Sequence, residues 1–116
     1  MAFLDDLKAM GFDTDDALAR FMGNEDLYKR MLKKLPAAIK DINLPVDFDD
    51  DNYDDITKGA HTIKGVTGNL SVTPLYKAYT EIVNELRAGN PAKAREILKD
   101  ILPEQEKIIA YIEENL

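Results

Sequence analysis

The sequence predicts an all-α protein, an antiparallel up-down-up-down four-helix bundle with short capping helices at its N-terminus. Apolar residues recur at helical spacing along most of the chain, and no segment alternates apolar and polar residues as a half-buried strand does. Helix-start and helix-stop residues leave only short connections, which favour antiparallel neighbours. A chain of 116 residues suffices for one hydrophobic core, so we expect one domain over residues 1–116.

Two short capping helices are expected within residues 1–23. Four apolar residues share one face of the first helix: Phe3, Leu4, Leu7 and Met10. Gly11 ends that helix, because glycine readily adopts the left-handed backbone that follows a helix. Asp13 is expected to cap a second helix over residues 14–22, which Gly23 ends.

The bundle is expected within residues 24–116, and its first helix begins at the cap Asn24. Apolar residues continue at helical spacing to Ile42, but Pro36 lies inside the pattern and predicts a kink or break. Residues 43–51 contain Pro45 and four aspartates without periodicity, which predicts a loop.

Three further helices follow the loop. Asn52 and Asp55 resemble the start of a helix that runs to about Ser71. Thr73–Pro74 and Asn90–Pro91 each place a capping residue before a proline at the first helical position. The first of these two helices ends at Gly89, and Pro103 is expected to bend the second. The residues expected to be buried by the last helix are Ala94, Ile97, Leu98, Ile101, Ile108, Ile109 and Ile112.

The helix over residues 52–71 carries His61, the only histidine of the chain, among glycines that a helix disfavours. On a helical wheel His61 lies roughly 140° from the apolar stripe, on an outward face that Gly65 and Gly68 share. The missing side chains predict clearance for another molecule to approach the ring. Gly59 borders the apolar stripe instead, where it permits close helix packing.

Two lysines flank His61 on the same helix. Lys64 follows it by three residues and Lys58 precedes it by three, so either ammonium can reach a group carried by the imidazole. A lone exposed histidine is usually only a surface residue. Together with the glycines and lysines, however, it predicts a nucleophile that accepts an anionic group such as phosphoryl.

The run A-H-T-I-K-G-V-T-G-N-L over residues 60–70 resembles the signature of histidine-containing phosphotransfer (HPt) domains, the carriers of multistep phosphorelays in two-component signal transduction. The run over residues 11–21, with Gly23 and Leu27–Tyr28, is similar to the opening of many such domains. Val66 replaces a residue that is often smaller in the family, and the acidic stretch 47–55 has no motif counterpart.

The resemblance implies that His61 is the phosphoacceptor, Lys64 the cation beside the phosphoryl group, and Gly65 and Gly68 the clearance positions. The partners it implies are receiver domains of response regulators or hybrid histidine kinases, whose aspartyl phosphate would be passed to His61 and on to another receiver. Ala17 and Arg20 are the expected docking residues. No cofactor is expected on this chain, since the Mg²⁺ for the transfer belongs to the receiver, and the chain is expected to be a monomer.

Composition and motifs weigh against other functions. A net charge of −7 argues against binding to nucleic acid or anionic membranes. The absence of cysteine, of a bilayer-length apolar run and of a basic N-terminus fits a cytoplasmic protein. The acidic run 47–52 lacks the glycine of a calcium loop, and one histidine without cysteine is a poor zinc site, so no metal site is expected. No phosphate-binding glycine loop predicts an ATP site, so the chain should not phosphorylate itself.

Two alternative functions remain open. The chain could be a helical module that binds receivers without accepting phosphoryl. It could also be the acceptor domain of a chemotaxis-type histidine kinase, which carries a similar H-x-x-K-G helix and is phosphorylated by a kinase catalytic domain.

Overall fold

The computed structural model describes residues 2–116, and within that range the regular structure is helical, with no strand. A bridge between Asp49 and Asn52 is the β-type pairing in the loop before the histidine-bearing helix. The helices are α1 (Ala2–Ala9), α2 (Thr14–Arg20), α3 (Glu25–Leu32), α4 (Leu35–Ile42), α5 (Asp54–Asn69), α6 (Thr73–Arg87) and α7 (Pro91–Asn115). The predicted all-α class is therefore confirmed.

The N-terminal helices begin and end close to the predicted residues. The Asp13 carboxylate accepts a hydrogen bond from the Asp16 amide at 3.1 Å and caps α2. The Asn24 side chain accepts one from the Leu27 amide at 3.0 Å and caps α3. Gly11 and Gly23 both have positive φ, +93° and +76°, which explains why glycine stands at the ends of α1 and of the turn after α2.

The break predicted at Pro36 separates α3 from α4. α3 ends at Leu32, and α4 begins at Leu35 with the proline in its first turn. Proline is tolerated there because the first amides of a helix have no intrahelical acceptor. The apolar pattern continues across the break, so Leu32, Leu35 and Ile39 are all buried.

Of the three remaining helices, α5 and α6 have starts that are shifted from the predicted residues. α5 begins at Asp54 with Tyr53 in the cap position, so the expected cap at Asn52 is wrong. α6 begins at Thr73 itself, and the Thr73 hydroxyl donates to the Ser71 carbonyl instead of capping the helix. α7 begins at Pro91 as predicted and continues through Pro103 as one helix.

The helices α4, α5, α6 and α7 pack together, and the hydrophobic core that they share also includes buried residues of α1, α2 and α3. α6 packs against both α5 and α7, and α4 also contacts both α5 and α7. Lys40 of α4 forms an ion pair with Glu113 of α7 at 3.0 Å. Of the residues predicted to be buried by α7, Ile97 is only half-buried and the others are buried. The buried hydrogen bond from the Tyr79 hydroxyl to the Gln105 side-chain carbonyl links α6 to α7 and was not predicted.

None of the helices in residues 2–116 combines the length and apolar character needed to cross a membrane.

Candidate functional site

His61 lies in the middle of α5 with its side chain exposed. The opposite face of the helix is buried and consists of Ile56, Ala60, Ile63 and Thr67. The helical wheel therefore placed the imidazole on the correct face, because burial of the apolar stripe against α4 and α6 turns residue 61 outward. A nucleophilic ring nitrogen in this position is accessible to a second molecule.

The three glycines of α5 have three different environments. A Cβ atom at Gly65 would meet no atom within 4 Å, so the face one turn beyond His61 is open. A Cβ atom at Gly68 would lie 2.9 Å from the ring of Tyr76. The predicted clearance at Gly68 is therefore wrong, because the tyrosine ring occupies that space. At Gly59 it would lie 2.7 Å from Leu44 and 2.9 Å from Ile42, so the predicted role in close packing is confirmed.

His61 lies between two surface depressions that are both lined by cations. The larger one, a groove of about 400 Å³, contains His61, Lys64 and Gly65 of α5 together with Arg20 of α2. The smaller one, of about 250 Å³, lies on the other side and contains Lys58 and Arg87 beside Asp54. Among residues 2–116 no carboxylate lies within 4.0 Å of the Lys58 or Lys64 ammonium, so both lysines are available to an anion.

A network of hydrogen bonds holds Arg20 at the larger groove. The Ser71 hydroxyl donates to the Asp16 carboxylate at 2.7 Å, and the Arg20 Nε donates to the same oxygen at 2.9 Å. The hydrogen bonds from Ser71 and Arg20 lower the pKa of Asp16, so this carboxylate is ionised at neutral pH. These hydrogen bonds join the short α2 helix to the turn between α5 and α6.

Ser71 takes part in this network of hydrogen bonds with an unusual backbone conformation. Its φ is +54°, a left-handed value that is uncommon outside glycine, and its carbonyl accepts a hydrogen bond from the Asp13 amide at 3.1 Å. Next to it, the Leu70 carbonyl accepts a buried hydrogen bond from the Tyr28 hydroxyl at 2.8 Å. The end of α5 is thus fixed by α2 and α3, which are far away in sequence.

The predicted docking residues differ in exposure. Arg20 is exposed and lines the groove, whereas Ala17 is fully buried against the core, so its selection as a docking residue was wrong. Ala17 lies on the side of α2 that packs inward, together with Thr14. Asp16 and Ser71 were not predicted as site residues. The four-residue spacing of Asp16 and Arg20 is a visible ion-pair signal, but no local pattern connects Ser71 to them.

The acidic loop before α5 is attached to α7. Arg95 donates from Nε to the Val46 carbonyl at 3.0 Å and from a terminal nitrogen to the Phe48 carbonyl at 2.9 Å, and it also pairs with the Asp50 carboxylate. Its guanidinium lies 4.5 Å from the centre of the Phe48 ring. Arg95 therefore anchors the acidic loop to α7.

A scan against protein-family models and searches of curated proteins and of solved structures found no match to this chain.

Proposed function

We propose that this chain is a phosphohistidine carrier of the HPt type, which accepts a phosphoryl group on His61 from a receiver-domain aspartyl phosphate and passes it to another receiver. The observation that carries the proposal is the combination of an exposed imidazole in mid-helix with open space at Gly65. The larger neighbouring depression supplies cations for an incoming anion. The sequence resemblance over residues 60–70 points to the same chemistry.

The proposed transfer needs only one nucleophile from this chain. The Nε2 lone pair of neutral His61 attacks phosphorus in line, the bond from phosphorus to the aspartyl oxygen breaks, and its electron pair remains on the aspartate as a carboxylate. The proton on Nδ1 stays on the ring, so the product is a phosphorylated imidazolium. Lys64, half-buried and lining the groove, offsets the negative charge of the phosphoryl group.

The proposed architecture is an antiparallel four-helix bundle in which α3 and α4 together form the first member. The contacts of α4 with α5 and α7, and of α6 with the same two helices, support such a closed ring. Its function would be presentation: a rigid α5 keeps the imidazole exposed while the partner supplies the other reactive groups. A groove open to solvent is suited to a reactant that a second protein must reach.

Transfer of label from a phosphorylated receiver tests the proposal directly. Wild-type protein incubated with ³²P-labelled receiver should become labelled, and His61→Gln should not, because glutamine has no nucleophilic ring nitrogen. Lys107→Gln, at an exposed position of α7 outside both depressions, is the control and should still accept label. A His61→Gln protein that is labelled as fast as wild type would overturn the proposal.

The same assay separates the alternative functions. Receiver binding without label transfer, unchanged by loss of His61, would identify a phosphorylation-independent binding module. Labelling by a kinase catalytic domain with ATP, and by no receiver, would identify the acceptor domain of a chemotaxis-type kinase.

A further inference from the structure

We propose that Arg20 binds the phosphoryl group on His61 through its terminal guanidinium nitrogens, and that Asp16 and Ser71 are positioning residues for it. This inference rests on the proposed function and adds a second cation, from a different helix, to the one expected at Lys64. Arg20 was expected from the sequence only as a docking residue.

The hydrogen bonds of Arg20 leave the appropriate atoms free. Its Nε is used by Asp16 at 2.9 Å, while the guanidinium as a whole carries five N–H donors in a fixed fork. The terminal nitrogens can therefore still form two parallel hydrogen bonds to phosphoryl oxygens, the geometry for which arginine is suited. Arg20 and His61 line the same groove, together with Lys64 and Gly65.

The positioning depends on contacts outside α2. Asp16 is itself held by the Ser71 hydroxyl at 2.7 Å, and Ser71 belongs to the turn at the end of the helix that carries His61. The position of the guanidinium is thus fixed relative to α5 and not only relative to its own short helix. An arginine that is already oriented loses less conformational freedom when it binds an anion.

Charge gives the arrangement its purpose. The chain has a net charge of −7, and Asp16 places a carboxylate inside the groove that a phosphoryl group must enter. Arg20 neutralises that carboxylate and also offers its remaining donors to the anion. Arg87, in contrast, lies in the smaller depression on the other side of His61 and has no ion pair among residues 2–116. It is the matched control for a nearby but unoriented cation.

A small phosphodonor distinguishes phosphoryl binding from docking, since it makes no protein interface. With phosphoramidate, a His61 nitrogen bonds to phosphorus as the bond from phosphorus to the donor nitrogen breaks, and ammonia leaves. Intact-mass spectrometry follows the rate. Arg20→Ala should slow His61 phosphorylation roughly tenfold or more, as expected for a lost charge-assisted hydrogen bond, and Arg20→Lys should slow it less. Arg87→Ala should change the rate less than about twofold.

The positioning role has a separate signature in a double-mutant cycle. Asp16→Asn should slow phosphorylation when Arg20 is present, because the guanidinium loses its anchor. In the Arg20→Ala background the same change should not slow it, since only a negative charge is then removed from the groove. A purely structural role for Asp16 predicts slowing in both backgrounds, and that result would overturn the assignment of Asp16. Circular dichroism verifies that each variant is folded.

The outcomes separate this inference from the proposed function. If Arg20→Ala reacts with phosphoramidate at the wild-type rate but accepts label poorly from a receiver, Arg20 is a docking residue only and the inference is overturned. Wild-type protein labelled by a receiver but not by phosphoramidate also counts against it, because the groove then binds no free phosphoryl donor. Failure of wild type with both donors overturns the proposed function itself.

Discussion

The ring of Tyr76 lies directly over Gly68, so close that a Cβ atom at position 68 would be 2.9 Å from two of its carbons. Tyr76 is among the few exposed large hydrophobic side chains of the described residues and lines the groove that contains His61. The glycine therefore accommodates a side chain of α6 that forms a wall of the groove. Gly65, one turn nearer to His61, has no such neighbour.

This difference predicts unequal effects of alanine at the two glycines. Gly65→Ala should stabilise the protein by about 1 kcal/mol, the helix-propensity difference, because its Cβ enters open space. Gly68→Ala should stabilise the protein by less than that or destabilise it, because the Tyr76 ring must move. Urea unfolding measures both changes. In a Tyr76→Ala background Gly68→Ala should recover the gain seen at Gly65, and equal effects of the two substitutions in wild type would contradict the packing role of Gly68.

A large acidic side chain at Gly65 should block phosphoryl transfer without unfolding the helix. Gly65→Glu places both bulk and negative charge on the face one turn beyond His61, where an anionic donor must approach. We expect the transfer rate from a labelled receiver to fall by about 100-fold, since a small misplacement of reacting groups has effects of that size. Helical circular dichroism should stay nearly unchanged, and Gly65→Ala should retain most of the rate. A normal rate for Gly65→Glu would refute the clearance role.

Two buried tyrosines predict a loss of stability at alkaline pH. Burial raises the pKa of Tyr79 to about 12, partly offset by the hydrogen bond to Gln105, and burial also raises the pKa of Tyr28. Above the ordinary tyrosine pKa of about 10, the unfolded chain releases protons that the folded chain keeps, so the free energy of unfolding falls as pH rises.

Urea unfolding between about pH 8 and about pH 11, a range that brackets the ordinary tyrosine pKa, measures how the free energy of unfolding depends on pH. Tyr28→Phe and Tyr79→Phe should each flatten it, whereas Tyr76→Phe, at an exposed position, is the matched control and should not. Retention of the full slope in Tyr28→Phe would show that its hydroxyl is not protected in the folded protein.

Removal of the Arg95 side chain should release the acidic loop. Arg95→Ala loses the hydrogen bonds to the Val46 and Phe48 carbonyls and the contact with the Phe48 ring, for a cost of about 1–3 kcal/mol. Amide hydrogen exchange of residues 46–50 should accelerate by about 5-fold to about 150-fold, the rate ratio that corresponds to this cost. Lys93→Ala, which removes an exposed pair with Glu96 on the same helix, should leave the loop unchanged. Equal exchange in both variants would contradict the anchoring role.

Helix positions were largely predictable because their signals are local. Asp13 and Asn24 cap their helices through amides three residues ahead, and the period of Ile56, Ala60 and Ile63 places His61 on the exposed face whatever α5 packs against. The prediction at Asn52 was wrong: Asn52 pairs with Asp49 in the loop before α5, and Tyr53 occupies the cap position.

The surroundings of the imidazole depended on contacts between distant residues. Ser71 reaches Asp16 across 55 positions, and Tyr76 fills the space at Gly68 from another helix. Periodicity can indicate that a glycine lies on an outward face, but it carries no information about which neighbour lies above that face. The amino-acid sequence by itself therefore determined the helices and the exposed position of His61. Only the packing of α2 and α6 on α5 decided which glycine has open space above it and which cation is oriented, because both features depend on distances between helices.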